Sequence, residues 1–243
     1  MLILALDSST DVVTVAVARA GEDTAPSAEP EPVREVLAEI SVASRGASEA
    51  LLPAVHDALG LAGTDLDEVE RILVGVGPGT FTGIRIALAA ARALALATDA
   101  ALSRNSTLAA LAAPALASAE EIGVLAVLDA RRRQIFAQCF PGARGPGEIL
   151  CVAPVELAAR FSAGDAPSEK RVLIVGDGAV RYREALSGLG RIPADTSPLH
   201  RVTAAGHVLS ADLAPVPARE VVPLYVREPD AEVRRDLNPW SRT

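Results

Sequence analysis

The loop Gly77-Pro78-Gly79-Thr80-Phe81-Thr82-Gly83 carries the most suggestive chemistry in this sequence. Three glycines and a proline join an apolar run, Ile72–Val76, to a long helical pattern. Free N–H groups and the dipole at a helix N-terminus attract anions, so Gly77, Gly79 and Thr80 are candidate phosphate-binding residues. The loop has neither the GK[ST] ending of a Walker A motif nor GxGxxG spacing. A rigid strand-to-helix connection without a ligand is the alternative. Asp7 and Asp129 are further candidates, each ending an apolar strand pattern, LILALD and VLAVLD. Aspartates so placed hold metal–phosphate complexes or orient water in phosphotransfer folds. The turns after them, Ser8-Ser9-Thr10 and Ala130-Arg131-Arg132, lack glycine, which hinders close approach to a phosphate. An Asp bonding its own backbone turn is the competing reading.

Other chemistries find little support. The histidines are His56, His200 and His207, with no HxxxH or HExxH pair. His200 and His207 lie at best two helical turns, about 10 Å, apart, so no metal site is expected. No serine sits in a GxSxG elbow, and no catalytic residue is expected. Cys139 and Cys151 have no CxxC spacing; Cys139, in an apolar strand, reads as a buried free thiol, and a reducing compartment fits. The one basic run, Arg131–Arg133, fits either a solvated hairpin turn or a phosphate or acidic partner. A net charge of −8 argues against stand-alone tRNA binding, leaving tRNA an indirect partner.

A repeated order of elements positions these residues. Leu2–Val17 and Val124–Phe140 each read strand, Asp, polar turn, strand. Arg71–Gly79 and Arg171–Gly178 then each read as a strand running into glycines and a helix. Such a repeat predicts an α/β protein of two related lobes facing one cleft. The expected division is 1–103 for the first lobe, joined by a segment at about 201–243, and 104–200 for a smaller second lobe. The 243 residues are half hydrophobic but only 3% aromatic, so the core must be built from Ala, Val, Leu and Ile. Arg34–Ala43 reads as a strand. Helices are expected at Ser48–Leu59, with Pro53 near its first turn, and at Thr82–Thr98, capped by Thr82. Further helices are expected at Ser106–Ala119, kinked or divided by Pro114, and at Val155–Phe161, Ala179–Leu189 and Val202–Ala214. Gly21–Pro32 is an acidic, proline-rich loop, Gly164–Glu169 a polar linker and Pro223–Thr243 a charged tail. The N-terminal apolar run is too short for a signal peptide, and Ile84–Thr98 contains Arg85 and Arg92, so no membrane and a cytoplasmic location are expected. The helix Thr82–Thr98 has a flat face of Ala87, Ala90, Ala91 and Ala95, which packs within its own lobe or admits a partner helix closely.

Six blocks occur together: ILALDSST, SEALLPAV, GVGPGTFTGIRIALAAARALA, STLAALA, LDARRRQIFA and PLYVREPDAE. They resemble the TsaB (YeaZ) family of tRNA threonylcarbamoyladenosine biosynthesis over nearly the whole chain. The resemblance implies a duplicated two-lobe actin-like ATPase fold of the ribonuclease H-like class. It also implies a catalytically silent paralogue of TsaD that supports TsaD in modifying adenosine 37 of tRNAs reading ANN codons. TsaE is a further implied partner, and a second copy of the chain is the alternative occupant of the same helices, with monomer or homodimer in isolation left open. The implied TsaD interface comes from the first-lobe helices, through Leu51, Val55, Arg85, Ala87, Leu88, Ala91 and Ala95. On that reading Ala91→Glu or Ala87→Arg weakens docking while the monomer stays folded. No cofactor is required, and ATP binding stays open. The sequence departs from the family pattern at Ala47, where many members carry His, at Arg133, where many carry Gly, and in its longer acidic insert. An autonomous ATP-dependent hydrolase or kinase is the alternative function.

Overall fold

The computed structural model describes residues 1–21, 34–43, 46–118, 123–141, 145–161 and 172–227. The bulk of the acidic insert, the linker at 164–169 and the tail beyond 227 lie outside the described residues.

Five strands form the first sheet: β1 (Leu2–Asp7), β2 (Val12–Ala20), β3 (Arg34–Ala43), β4 (Arg71–Gly75) and β5 (Ala101–Asn105), in the order β3-β2-β1-β4-β5. β1 pairs antiparallel with β2 and parallel with β4. The second sheet contains β6 (Gly123–Arg131), β7 (Gln134–Phe140), β8 (Leu150–Val152) and β9 (Val172–Val175), in the order β8-β7-β6-β9. β6 pairs antiparallel with β7 and parallel with β9, so the topology repeats as the sequence predicts. The fifth position survives as one parallel bridge, Leu173 to Arg191.

Alternation along the buried strands sends side chains to two different covers. On the first sheet Leu4, Leu6, Val13, Val15, Ile72 and Val74 face helices α1 (Ala47–Ala62) and α2 (Phe81–Thr98). Ile3, Ala5, Ala16, Ala18 and Leu73 face α7 (Ala204–Ser210) on the other side. Small alanines there let the short helix sit close. β3 holds α7 at both ends. Arg34 donates to the carbonyls of Val208 and Ala211, and Glu39 accepts from the Ala205 N–H at 2.9 Å. Each charge complements the helix dipole at its end.

The second sheet is covered on one face by α3 (Thr107–Ser118), through Leu108, Leu111 and Ala115. Its other face packs on α4 (Pro154–Arg160), α5 (Asp177–Arg181) and α6 (Arg183–Leu186). The helix after each fifth-strand position therefore crosses over: α3 leaves the first sheet to cover the second, and α7 leaves the second to cover the first. The two meet at Gly206, where an added Cβ would stand 2.3 Å from the Ala110 carbonyl oxygen. That carbonyl has no helical donor because Pro114, four residues on, lacks an N–H.

Several local expectations are corrected. Pro114 does not divide its helix. Pro53 lies inside α1, because the helix starts at Ala47. The cap of α2 is Thr80, not Thr82. The helix expected over Ala179–Leu189 is broken at Tyr182 into α5 and α6. α2 is long and apolar enough by length and composition to cross a membrane, yet Ile84, Ala87, Leu88 and Ala91 are spent on the first sheet.

Candidate functional site: the cleft between the lobes

Asp7 ends β1 and is 1% exposed. Its Oδ1 accepts from the Ser9 N–H, closing the turn. Its Oδ2 accepts from Thr107 Oγ1 at 2.9 Å and meets His207 Nε2 at 2.7 Å. Ser9 Oγ and Thr107 Oγ1 bond each other at 3.0 Å. His207 is fully buried, and its Nδ1 has no partner among the described residues. With Asp7 a carboxylate, Nε2 carries the proton that faces it. Burial opposes ionisation of Asp7, but the hydrogen bond and charge of His207 and the Ser9 donors outweigh it and hold the carboxyl below its ordinary range. Both oxygens are thus taken by protein, and the lobe-crossing helices α3 and α7 supply two of the partners. The second histidine of the pair that spacing set aside, His200, packs elsewhere, with Nδ1 3.1 Å from Gly176. Among the described residues no three His, Cys, Asp or Glu are grouped to hold a metal.

The glycine-rich loop presses on the same turn. Added Cβ atoms at Gly79 and Gly83 would stand 2.2 Å from the Ser9 oxygen and 1.9 Å from the Ser8 oxygen. The Thr80 N–H donates to the Ser9 carbonyl at 2.6 Å, and Ser8 Oγ donates to the Gly83 carbonyl at 2.8 Å. The Gly77 carbonyl accepts from the Thr107 N–H at 2.8 Å. Gly77 and Gly79 thus seat the loop on the turn, while Thr80 lines the cleft beyond.

That cleft holds a cavity of about 820 Å³ between Ser8, Thr10 and Asp11, the starts of α1 and α2, and Arg131 of the second lobe. Arg131 spans it, donating to both Asp11 oxygens at 2.7 and 2.8 Å. On its own side Arg131 lies 3.5 Å from Asp129 Oδ2, the same oxygen that Arg181 approaches at 3.6 Å. Asp129 also accepts the Arg131 N–H at 3.0 Å and is nearly buried, so it organises its turn. The repeat correctly paired Asp7 with Asp129, but their surroundings differ: a histidine for one, arginines for the other.

The turn from β6 to β7 achieves without glycine what glycine ordinarily supplies. Arg131, Arg132 and Arg133 take φ of 63°, 50° and 61°. Two successive left-handed residues form the tight turn that matches strand twist in a two-residue hairpin, and L-residues resist it by about 1–2 kcal/mol each. Arg133→Gly is therefore expected to raise stability by about 1 kcal/mol, or about 2–4 °C in melting temperature. An unchanged or lower midpoint in a thermal melt would show that the arginine side chain compensates its backbone.

Five of the expected partner residues need correction. Leu51, Val55, Ala87, Leu88 and Ala91 are 0–4% exposed and belong to the first lobe's own core. Ala95 is half-buried against it. Arg85 is exposed but lies over the Phe81 ring at 3.5 Å and donates to the Tyr225 hydroxyl at 2.8 Å. The alanine face meets the sheet, and the opposite face of the helix pair looks outward. It presents Leu52 on α1 at 55% exposure and Leu96 on α2 at 88%, with Ala89 and Ala93 also exposed on α2.

Known proteins of this architecture agree with the two-lobe reading. The first is an uncharacterised Pseudomonas aeruginosa protein described as similar to the peptidase YeaZ, 28% identical. Its structure aligns with a TM-score of 0.69 over 93% of this chain and 99% of that one. YeaZ from Pseudomonas aeruginosa aligns at 0.67, with 25% identity over 92% and 100%. TsaB of Escherichia coli, a "tRNA threonylcarbamoyladenosine biosynthesis protein", is 32% identical over 56% of this chain and 53% of its own length. The chain resembles the TsaB (YeaZ) family in sequence and structure. It spans about half the length of the curated TsaB relatives from Escherichia coli and Haemophilus influenzae. An uncharacterised Mycobacterium tuberculosis protein, 30% identical, is matched over 95% of this chain and 93% of its own. A family model described as "TsaD: tRNA N6-adenosine threonylcarbamoyltransferase" matches residues 38–141 of this chain. Component A of (R)-2-hydroxyglutaryl-CoA dehydratase from Acidaminococcus fermentans, 14% identical with a TM-score of 0.50 over 91% and 99%, shares the actin-like fold alone.

Proposed function

We propose that this chain is a non-catalytic subunit in the biosynthesis of N6-threonylcarbamoyladenosine on tRNA, acting in the cytoplasm by docking to and supporting a TsaD-type subunit. The observation that carries this reading is Asp7. The carboxylate that would serve a metal–phosphate complex in an active relative is enclosed and bonded to Ser9, Thr107 and His207. Docking is assigned to the outer face of α1 and α2, including Leu52, Ala89, Ala93 and Leu96. Small residues flanked by exposed leucines suit close approach of a second helix pair. The same face serves a homodimer in isolation, and a TsaE-type ATPase joins the pair elsewhere. The cavity beside Arg131 favours the second reading, an ATP-dependent hydrolase or kinase.

Light scattering of the chain with the TsaD subunit of its own organism tests the first reading. A one-to-one complex that Leu96→Arg weakens at least about tenfold, roughly 1.4 kcal/mol, is expected, with no ATP turnover by the chain alone. Turnover by the isolated chain without complex formation would replace the scaffold with the enzyme.

A further inference from the structure

The segment after α7 ties three separate places together. The Val216 N–H donates to the Leu102 carbonyl on the outer strand of the first sheet, at 2.8 Å. Arg104 and Arg92 then hold the carbonyls of Glu220 and Val221, the latter fully buried. The Leu224 N–H donates to the Val76 carbonyl at 2.8 Å. Tyr225 stacks on Phe81, with ring centroids 5.3 Å apart, and its hydroxyl accepts from Arg85. Two residues later Arg227 crosses to the second lobe. It donates to the Ala130 carbonyl at 3.1 Å and to Gln134 Oε1 at 3.4 Å, at the root of the hairpin whose Arg131 grips Asp11.

Two features single this out from ordinary tail packing. Aromatic residues are 3% of the chain, yet Phe81 and Tyr225 are 43% and 41% exposed and stacked at the end of the outward face of α2. Exposed Tyr and Arg are the side chains that dominate binding hot spots. The link from ring to hairpin is also short: two residues of extended chain span about 7 Å, so little slack separates Tyr225 from Arg227.

We propose that residues 221–227 are a coupling strap. It joins the outer face of α2 to the hairpin that closes the cleft, so that a partner bound over Phe81, Arg85 and Tyr225 changes the hold of Arg131 on Asp11. The identity of that partner rests on the function proposed above; the intramolecular linkage does not. The linkage is reciprocal, as any coupling between two sites must be. Loosening the ring end frees the hairpin, and loosening the hairpin end frees the ring cluster.

Amide hydrogen exchange on the full chain alone tests the linkage. In Tyr225→Ala the hairpin amides at 131–134 are expected to exchange at least about threefold faster, and in Arg227→Gln those of Phe81–Arg85 likewise. Tyr225→Phe keeps the ring and is expected to leave the hairpin unchanged. Asp11→Asn is expected to speed the hairpin directly. Changes confined to the substituted end in both variants would overturn the strap. Should Tyr225→Ala fail to fold, Arg227→Gln decides the matter through the reciprocal effect. Adding the TsaD subunit then separates the two readings. Altered hairpin exchange in the wild type but not in Tyr225→Ala supports coupled docking. Unaltered exchange in a formed complex overturns the partner half of the strap, and absence of any complex refutes the proposed function instead.

Discussion

Asp7→Ala is expected to lower the unfolding free energy by about 3–5 kcal/mol, the range for stripping one member from a buried, bonded pair. The change leaves His207 Nε2, Thr107 Oγ1 and the Ser9 N–H without their acceptor at a place closed to water. Each of these groups then carries its desolvation cost uncompensated. Asp7→Asn keeps the shape and one acceptor and is expected to lose less. Chemical denaturation of both variants and of His207→Ala, closed as a double-mutant cycle, measures the coupling. The pH dependence follows from the lowered Asp7 value. Its contribution is complete above the unfolded carboxylate value, about 3.9, and is lost as pH falls through the lower folded value. The gap between wild type and Asp7→Asn therefore narrows on acidification. A gap that is equal at neutral and strongly acid pH would show that the carboxylate is not ionised in the fold.

Glutamate at position 91 is expected to prevent folding, and glutamate two residues earlier to leave the fold intact. Ala91 has no exposed surface and packs among Leu51, Val74 and Leu88, where a carboxylate has neither room nor partner. The cost exceeds about 4 kcal/mol, beyond the ordinary run of substitutions. Ala89 points outward on the same helix, and its replacement is expected to change stability by less than about 0.5 kcal/mol. Affinity for the TsaD subunit is what Ala89→Glu should lose, by at least about tenfold. Circular dichroism melts and titration calorimetry distinguish the two. A folded Ala91→Glu, or an Ala89→Glu that binds normally, would return the docking surface to the alanine face.

The reach of the sequence is clearest where it stopped. Periodicity found the alanine face of α2 correctly but could not say what covers it. Its own sheet and a foreign helix ask for the same small residues, and only the exposure of Leu96 and Leu52 separates them. The duplicated strand–Asp–strand order was legible because buried parallel strands leave unbroken apolar runs. β5 was missed because Ala101–Asn105 is short and carries Ser, Arg and Asn. Its counterpart is reduced to a bridge at Arg191, with no strand pattern to find. His207 lies 200 residues from Asp7, and no local spacing rule joins them. Asp11 and Arg131 were similarly invisible as a pair, though Asp11 stands just past one turn that the repeat had marked and Arg131 within the other. The departure at Arg133 fell on a position of positive φ, so the family's glycine there has a conformational reason.

The exchange of covering helices between the sheets also bears on how the chain matures on the ribosome. When residue 103 has been added, β1 to β4 are complete, but the side of the sheet bearing Ile3, Ala5, Ala16, Ala18 and Leu73 has no cover. That cover is α7, about a hundred residues and about 5–20 s of synthesis later. During that interval an apolar sheet surface stands open, and the nascent chain is a natural client for a holding chaperone. Slowed elongation between the two lobes should therefore lower the soluble yield, whereas slowing within the last residues should not.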